Sequence, residues 1–173
     1  MLSDRQFSGL SDDMENEGGF TVRAFGPEAG KRGADIYSVG GAVPSHVAPG
    51  PHGGPAIKAY ATQHREILSQ PQMNLGGWQE SGSDRALDVS KGFPRTPEGL
   101  RGAKWQAMKT DQIAIGELNE RGDYVGDIDN PFHVRRDVES RLKAFKAAPE
   151  AYLRMMSGAT GGITEQIRWA QGR

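Results

Sequence analysis

The sequence contains no cysteine. This absence excludes disulfide bonds, thiolate metal ligands and cysteine nucleophiles together. The chain also lacks any apolar run close to the roughly 20 residues that a helix needs to cross a bilayer. Its first residues have neither the basic start nor the apolar centre of a signal peptide. We therefore expect a soluble protein that is made in the cytoplasm and has no membrane contact.

The chain has almost no net charge, since it contains 21 Lys and Arg and 22 Asp and Glu. Such a balance gives no overall field that would favour nucleic acid or an anionic membrane. Hydrophobic residues make up 36% of the chain, which carries 24 Gly and 10 Pro. This composition is poorer in core-forming residues than ordinary domains are. A chain of 173 residues can therefore form one compact domain with arms, but not two large domains.

The stretch from 74 to 128 carries the clearest local patterns and predicts an α+β fold. Leu87 and Val89 alternate with polar neighbours, which predicts a strand with one buried face and one solvated face. Thr96 and Pro97 supply an N-cap hydroxyl and a proline at the first helical position. We predict a mostly antiparallel sheet of about four to five strands backed by two helices. The predicted strands are 20–25, 74–79, 85–90, 112–118 and 124–128, and the predicted helices are 55–69 and 97–110.

Outside this stretch, composition predicts extended segments. Residues 1–19 form an acidic N-terminal arm, because their few apolar residues cannot offset the entropy of ordering. The α+β domain spans 20–129 and includes a long Gly/Pro-rich loop at 26–54, which is typical of a functional loop or of a segment that lies on another chain. Residues 130–173 form a helical tail that begins at Pro131.

No set of residues carries a recognisable catalytic or metal-binding pattern. The four histidines, His46, His52, His64 and His133, lack metal-ligand spacing, so a zinc site stays the weaker interpretation. The stretch 127–130 is rich in oxygen ligands but lacks the glycine and the distal glutamate of a calcium loop. A pair of hydrolytic carboxylates could come from Asp84, Asp88, Glu117, Asp123, Asp127 and Asp129, although turns and a solvated strand face account for all of them. We expect no catalytic residues, no cofactor and no metal.

Contact with other proteins is the better-supported role for the remaining distinctive residues. Trp105 and Trp169 fall off the apolar stripes of their predicted helices, and Trp78 stands beside two glycines in a predicted strand. Such a tryptophan is either a second layer of core or an interface anchor, and we favour the interface. A basic helix at 132–146 combines charge with an apolar stripe, and this combination suits docking onto an acidic protein surface. Nucleic acid binding through the same helix stays open as an alternative. The interface residues that we predict are Trp78, Trp105, Arg135, Arg136, Val138 and Trp169.

The order of several short motifs resembles a small module that recurs in proteins of actinobacterial tailed phages, including C-terminal regions of minor head proteins. The motifs are Ile-Leu-Ser-Gln-Pro at 67–71, Asn-Leu-Gly-Gly-Trp at 74–78, Ala-Leu-Asp-Val-Ser at 86–90 and Gln-Ile-Ala-Ile-Gly-Glu-Leu at 112–118. They cover about one third of the chain and are structural in character. The resemblance supplies no catalytic residue.

This resemblance implies a structural virion protein, capsid-associated or located in the minor head or head–tail connector region. Such a protein acts by binding neighbouring capsid, portal or tail subunits, in multiple copies within an assembly. Two alternatives stay open: a small phage-encoded enzyme or toxin domain with a site at the hairpin ends, and a cytosolic regulator that binds one host protein.

Overall fold

A computed structural model describes residues 1–49, 52–79 and 84–130, together with residues 133 and 168. Four helices and seven strands lie in these ranges. In chain order they are α1 Asp4–Asn16, β1 Gly19–Val22, β2 Ile36–Val39, β3 His46–Pro49, α2 Gly54–Gln63, α3 Arg65–Leu68, β4 Met73–Gln79, β5 Asp84–Pro94, α4 Pro97–Lys109, β6 Ala114–Leu118 and β7 Tyr124–Asp129. None of these helices is long and apolar enough to cross a membrane.

The seven strands form one antiparallel sheet with β5 near its centre. The order across the sheet is β1-β4-β5-β2-β6-β7, and β3 also pairs with β5. The strand β4 pairs along one edge of β5 from Arg85 to Lys91. The opposite edge is divided, because β3 pairs with 84–87 and β2 pairs with 91–94. Between these two partners, the N–H of Ala42 donates to the carbonyl of Val89 at 3.3 Å.

The α+β class predicted from the sequence is confirmed, although the sheet has more strands than expected. The extra strands β2 and β3 lie in 26–54, which the composition had predicted as a loop without structure. That prediction is wrong for both segments. Each strand has only four residues, so it is too short to give a clear period-two pattern, and its ladder partners in β5 lie 35 or more residues away.

The prediction of an arm at 1–19 is also wrong, because 4–16 form the helix α1. Ser3 and Gln6 cap its start reciprocally, side chain to backbone in both directions. Phe7, Leu10 and Met14 are all buried in the core. They are spaced three and four residues apart and therefore share one face of the helix. The acidic residues occupy the remaining faces, which explains why the composition resembles that of a disordered segment.

The two predicted helices have different outcomes. The one at 97–110 is confirmed as α4, with Thr96 Oγ1 accepting a hydrogen bond from the N–H of Gly99 at 3.1 Å. The single helix predicted at 55–69 is instead divided into α2 and α3, because His64 has a non-helical ψ of 22°. Of the predicted tail at 130–173, the structure describes only Asn130, His133 and Arg168, so its helical character lies outside the described residues.

All the larger helices pack on one face of the sheet. One apolar cluster joins α1 and α2 to residues that include Leu87 and Val89 of β5. A second cluster joins α4 to β2 and β6, and Phe93 of β5 packs against it. Residues 87, 89 and 93 alternate along one strand and therefore point to the same side. The opposite side of the sheet is left without a helix in the described part of the chain.

Ile115 tests whether β6 is an interior strand. It is fully buried between the sheet and α4, whereas Ile113, two residues earlier, is 58% exposed. We expect Ile115→Ala to lower the free energy of unfolding by about 2 to 5 kcal/mol, through lost transfer energy and a cavity. The matched control Ile113→Ala should lower it by less than about 0.5 kcal/mol. Urea denaturation of both variants measures the difference, and equal effects would contradict the placement of β6.

Candidate functional site

The side of the sheet without helices encloses a cleft of about 740 Å³. Gly19 and Thr21 of β1 line it at one end, and Tyr124 and Asp127 of β7 line it at the other. These are the first and last strands in the order of the sheet. A single cleft can touch both only because the sheet curls, so that this face becomes concave. The volume is in the range of small-molecule and peptide-side-chain sites.

Asp88 and Ser90 of β5 form part of the floor of this cleft. Both are nearly inaccessible, with relative exposures of 5% and 3%. The sequence predicted that these residues would lie on a solvated strand face, and that prediction is wrong. The alternation along β5 was correctly assigned, since Leu87 and Val89 point to the helices. The curl of the sheet nevertheless removes the opposite face from solvent, and a strand pattern carries no information about curl.

Two glycines make room for the Asp88 carboxyl group. Gly76 lies directly across from Asp88 in the β4–β5 ladder, and a Cβ atom at Gly76 would collide with Asp88 Oδ1. At Gly40, just after β2, a Cβ atom would lie 2.5 Å from Asp88 Oδ2. Any larger residue at either position would press on the carboxylate. The two glycines therefore flank the carboxyl group without filling the space beside it.

The carboxyl group of Asp88 accepts no hydrogen bond within the described part of the chain. Burial disfavours its charged form and raises its pKa to about 7. Nearby on the same face, Ser90 Oγ is also buried without a hydrogen bond. Buried polar groups are normally paired, and an aspartate with a pKa this high in a cleft is typical of a functional site. The floor of the cleft therefore has an unpaired carboxyl group, with a fully buried hydroxyl group near it.

The walls of the cleft are acidic and partly aromatic. Glu17, Asp123 and Asp127 line it, against Arg32 as the opposite charge. Arg32 forms ion pairs with Asp13 at 2.8 Å and with Glu17 at 3.2 Å, and it does not lower the pKa of Asp88. Aromatic walls come from Trp78 on the β4 side and Tyr124 on the β7 side. The cleft thus has an excess of negative charge.

The structure does not bring the predicted interface residues together. Trp78 lines the cleft, whereas Trp105 is 45% exposed on α4, which packs on the other face of the sheet. The remaining four residues, Arg135, Arg136, Val138 and Trp169, lie outside the described residues. Trp78 and Trp105 therefore do not share a surface, and Trp78 is the one that lines the cleft.

The acidic and histidine candidates from the sequence also lie in different parts of the structure. Of the six acidic candidates, only Asp88, Asp123 and Asp127 line the cleft. The rings of His46 and His52 stand 5.3 Å apart, and His64 packs edge-on against Tyr60 at 4.6 Å. Within the described ranges, no group of three or more histidine, aspartate or glutamate side chains is placed to hold a metal ion. The histidines make ring and polar contacts instead, with His52 Nε2 lying 3.1 Å from the carbonyl oxygen of Arg85.

Sequence reasoning missed the cleft because it treated Asp88 as an ordinary solvated residue. One signal was present: the Gly-Gly pair at 76–77 stands in the strand that pairs with Asp88, and a glycine inside a strand often marks a close approach. Comparison of the chain with protein-family models, with curated proteins and with solved structures finds no match. The cleft must therefore be interpreted from its own chemistry.

The raised pKa of Asp88 predicts a pH-dependent stability. The native state keeps a proton that the unfolded chain loses near its ordinary pKa of 3.8, so stability should fall as pH rises from about 4 to about 7. We expect Asp88→Asn to remove this ionisation and to be more stable than the unmodified protein at pH 8, by up to roughly 4 kcal/mol. The difference in free energy of unfolding between Asp88→Asn and the unmodified protein should decrease towards pH 4.

Urea denaturation across this pH range measures the effect. The control Ser90→Ala alters a neighbouring buried side chain without removing an ionisable group, so it should leave the pH dependence unchanged. If Asp88→Asn instead destabilised the protein at pH 8, the carboxylate would have a favourable native partner, and the assignment of an unpaired acid would be wrong.

Proposed function

We propose that the protein is a structural virion protein of a tailed phage, capsid-associated or in the minor head or head–tail connector region, and that it acts by binding neighbouring subunits. The resemblance of 67–118 to a module of phage head proteins supports the class. A surface on the β6–β7 hairpin supports the mode of action, and its exposed apolar side chains are the observation that carries the proposal.

Exposed apolar residues are concentrated at this hairpin. Six large apolar side chains are exposed in the described ranges, and three of them belong to the β6–β7 region: Ile113, Tyr124 and Val125, with exposures of 58%, 64% and 52%. Tyr124 and Val125 are adjacent at the start of β7, whereas Ile113 lies at the other end of the hairpin, where the N–H of Asn130 donates to its carbonyl at 2.8 Å. Tyr124 and Val125 are therefore the exposed apolar pair on this strand. The hairpin is therefore the part of the described surface that best suits a protein partner.

The backbone of β7 could also bind a partner, because this strand lies at the edge of the sheet. It is the last strand in the order of the sheet, and no strand in the described ranges pairs with its outer side. The ladder to β6 is shifted between Glu117 and Leu118, so that Val125 has no counterpart in the register. An edge strand can receive a strand from a neighbouring chain, in which case main-chain hydrogen bonds supply affinity and side chains such as Tyr124 and Val125 supply specificity.

Quantitative mass spectrometry of purified virions tests this proposal. We expect the protein to be present in a fixed number of copies per particle. A phage that carries Val125→Lys should incorporate about tenfold fewer copies or less, because a charge would replace an apolar contact on the edge strand. The matched control is Val47→Lys, since Val47 is equally exposed on β3, away from the hairpin.

The two parts of the proposal can fail separately. Absence of the unmodified protein from virions would refute the structural role. Presence of the protein with unchanged incorporation of Val125→Lys would refute the hairpin as the binding surface. Both substitutions replace exposed side chains, so each should change the free energy of unfolding by less than about 0.5 kcal/mol.

A further inference from the structure

The cleft on the concave face has features that the proposed role in a particle does not use. Its floor carries the Asp88 carboxyl group, which is 95% buried, is aimed into the cavity between Gly40 and Gly76, and accepts no hydrogen bond among the described residues. A charge that is buried without a partner is strongly disfavoured in proteins. In the free protein, protonation relieves this cost, since burial raises the pKa of Asp88 to about 7. A cation beside Asp88 would instead stabilise the charged carboxylate.

We propose that the cleft is a binding site for an organic cation, in which the Asp88 carboxylate accepts hydrogen bonds from an ammonium or guanidinium group. This inference does not depend on the proposed role in a virion. It concerns the concave face of the sheet and assigns a ligand chemistry to it.

The charges that line the cleft indicate that the ligand carries a positive charge. Asp88, Asp123 and Asp127 face the cavity together with Glu17, and Arg32 is engaged by Asp13 and Glu17. The field inside such a cleft attracts cations and repels anions. A neutral donor could satisfy one lone pair of Asp88, but only a cation also compensates the buried charge.

The shape and the walls of the cleft further favour an organic cation over a bare metal ion. Asp88 is the single carboxylate at the floor, and no group of three or more potential metal ligands occurs among the described residues. The cavity of about 740 Å³ is far larger than an ion needs. Trp78 and Tyr124 in its walls offer aromatic surfaces, on which ammonium and guanidinium groups bind favourably.

An ammonium or guanidinium group can come from a small amine or from a lysine or arginine side chain of a polypeptide. Titration of the full chain, followed by the NMR signals of the Gly40 and Gly76 amides, distinguishes these sources. The probes are n-butylammonium, n-butylguanidinium and a blocked Gly-Gly-Lys-Gly-Gly peptide, with 1-butanol and the norleucine peptide as neutral controls. Affinity for the peptide well above that for n-butylammonium would identify a polypeptide source, and equal affinities would identify a small amine.

Substitutions then test the role of Asp88. We expect Asp88→Asn to weaken binding of the cationic probes by about tenfold or more, because it removes a charge-assisted hydrogen bond. The matched control Asp84→Asn removes the same charge from the same face of β5, at a residue that does not line the cleft, and should change binding by less than about threefold. The proposal is overturned if no cationic probe gives a saturable shift, if the neutral probes bind equally well, or if Asp88→Asn binds as tightly as the unmodified protein.

Discussion

The pairing requirements of one long strand organise this structure. β5 has 11 residues, and its backbone groups need partners along both edges. The strand β4 satisfies one edge alone, whereas the other edge takes β3 and β2 in turn, and Ala42 bonds to Val89 in the interval between them. β5 also connects the two apolar clusters, since Leu87 and Val89 pack with α1 and α2 while Phe93 packs near α4. The side chains of β5 that point away from both clusters, among them Asp88 and Ser90, are the ones that form the cleft.

Sequence reasoning succeeded where structure is determined by neighbours in the chain. The β4–β5 and β6–β7 pairings and the helix α4 follow from alternation, turn residues and the cap at Thr96, all of which act within a few residues. It failed where the decisive contacts are distant. The helix α1 has the spacing of an amphipathic helix in Phe7, Leu10 and Met14, but its acidic composition masked that spacing. β2 and β3 are too short to show a period and exist because β5 offers them an edge.

The candidate site was less predictable than the fold, for a physical reason. The alternation of Asp88 with Leu87 and Val89 correctly assigned it to the opposite face of β5, yet whether that face is solvated depends on the curl of the whole sheet. Curl brings β1 and β7 to the same cavity, and it arises from the twist accumulated over all the strands. Gly76 was the local trace of this arrangement, because a side chain there would collide with Asp88, whereas Gly77 makes room for Met14 and Phe20 on the helix side. Trp78 was selected from the sequence as a contact residue, and it does line the cleft, whereas Trp105 lies on the other side of the sheet.

The division of one edge of β5 between β3 and β2 also constrains how the chain can be synthesised. β1 pairs with β4, and both β2 and β3 pair with β5, so no strand of the first 49 residues has its partner within that segment. On the ribosome, these strands emerge before the strands that pair with them, and within the segment only Val22 forms a bridge, to Arg32. β1 needs β4 at 73–79, β3 needs 84–87 and β2 needs 91–94, whereas α1 can pack on α2 once 54–63 have left the exit tunnel. During that interval, the unpaired edges of these strands are exposed to chaperones and to incorrect pairing.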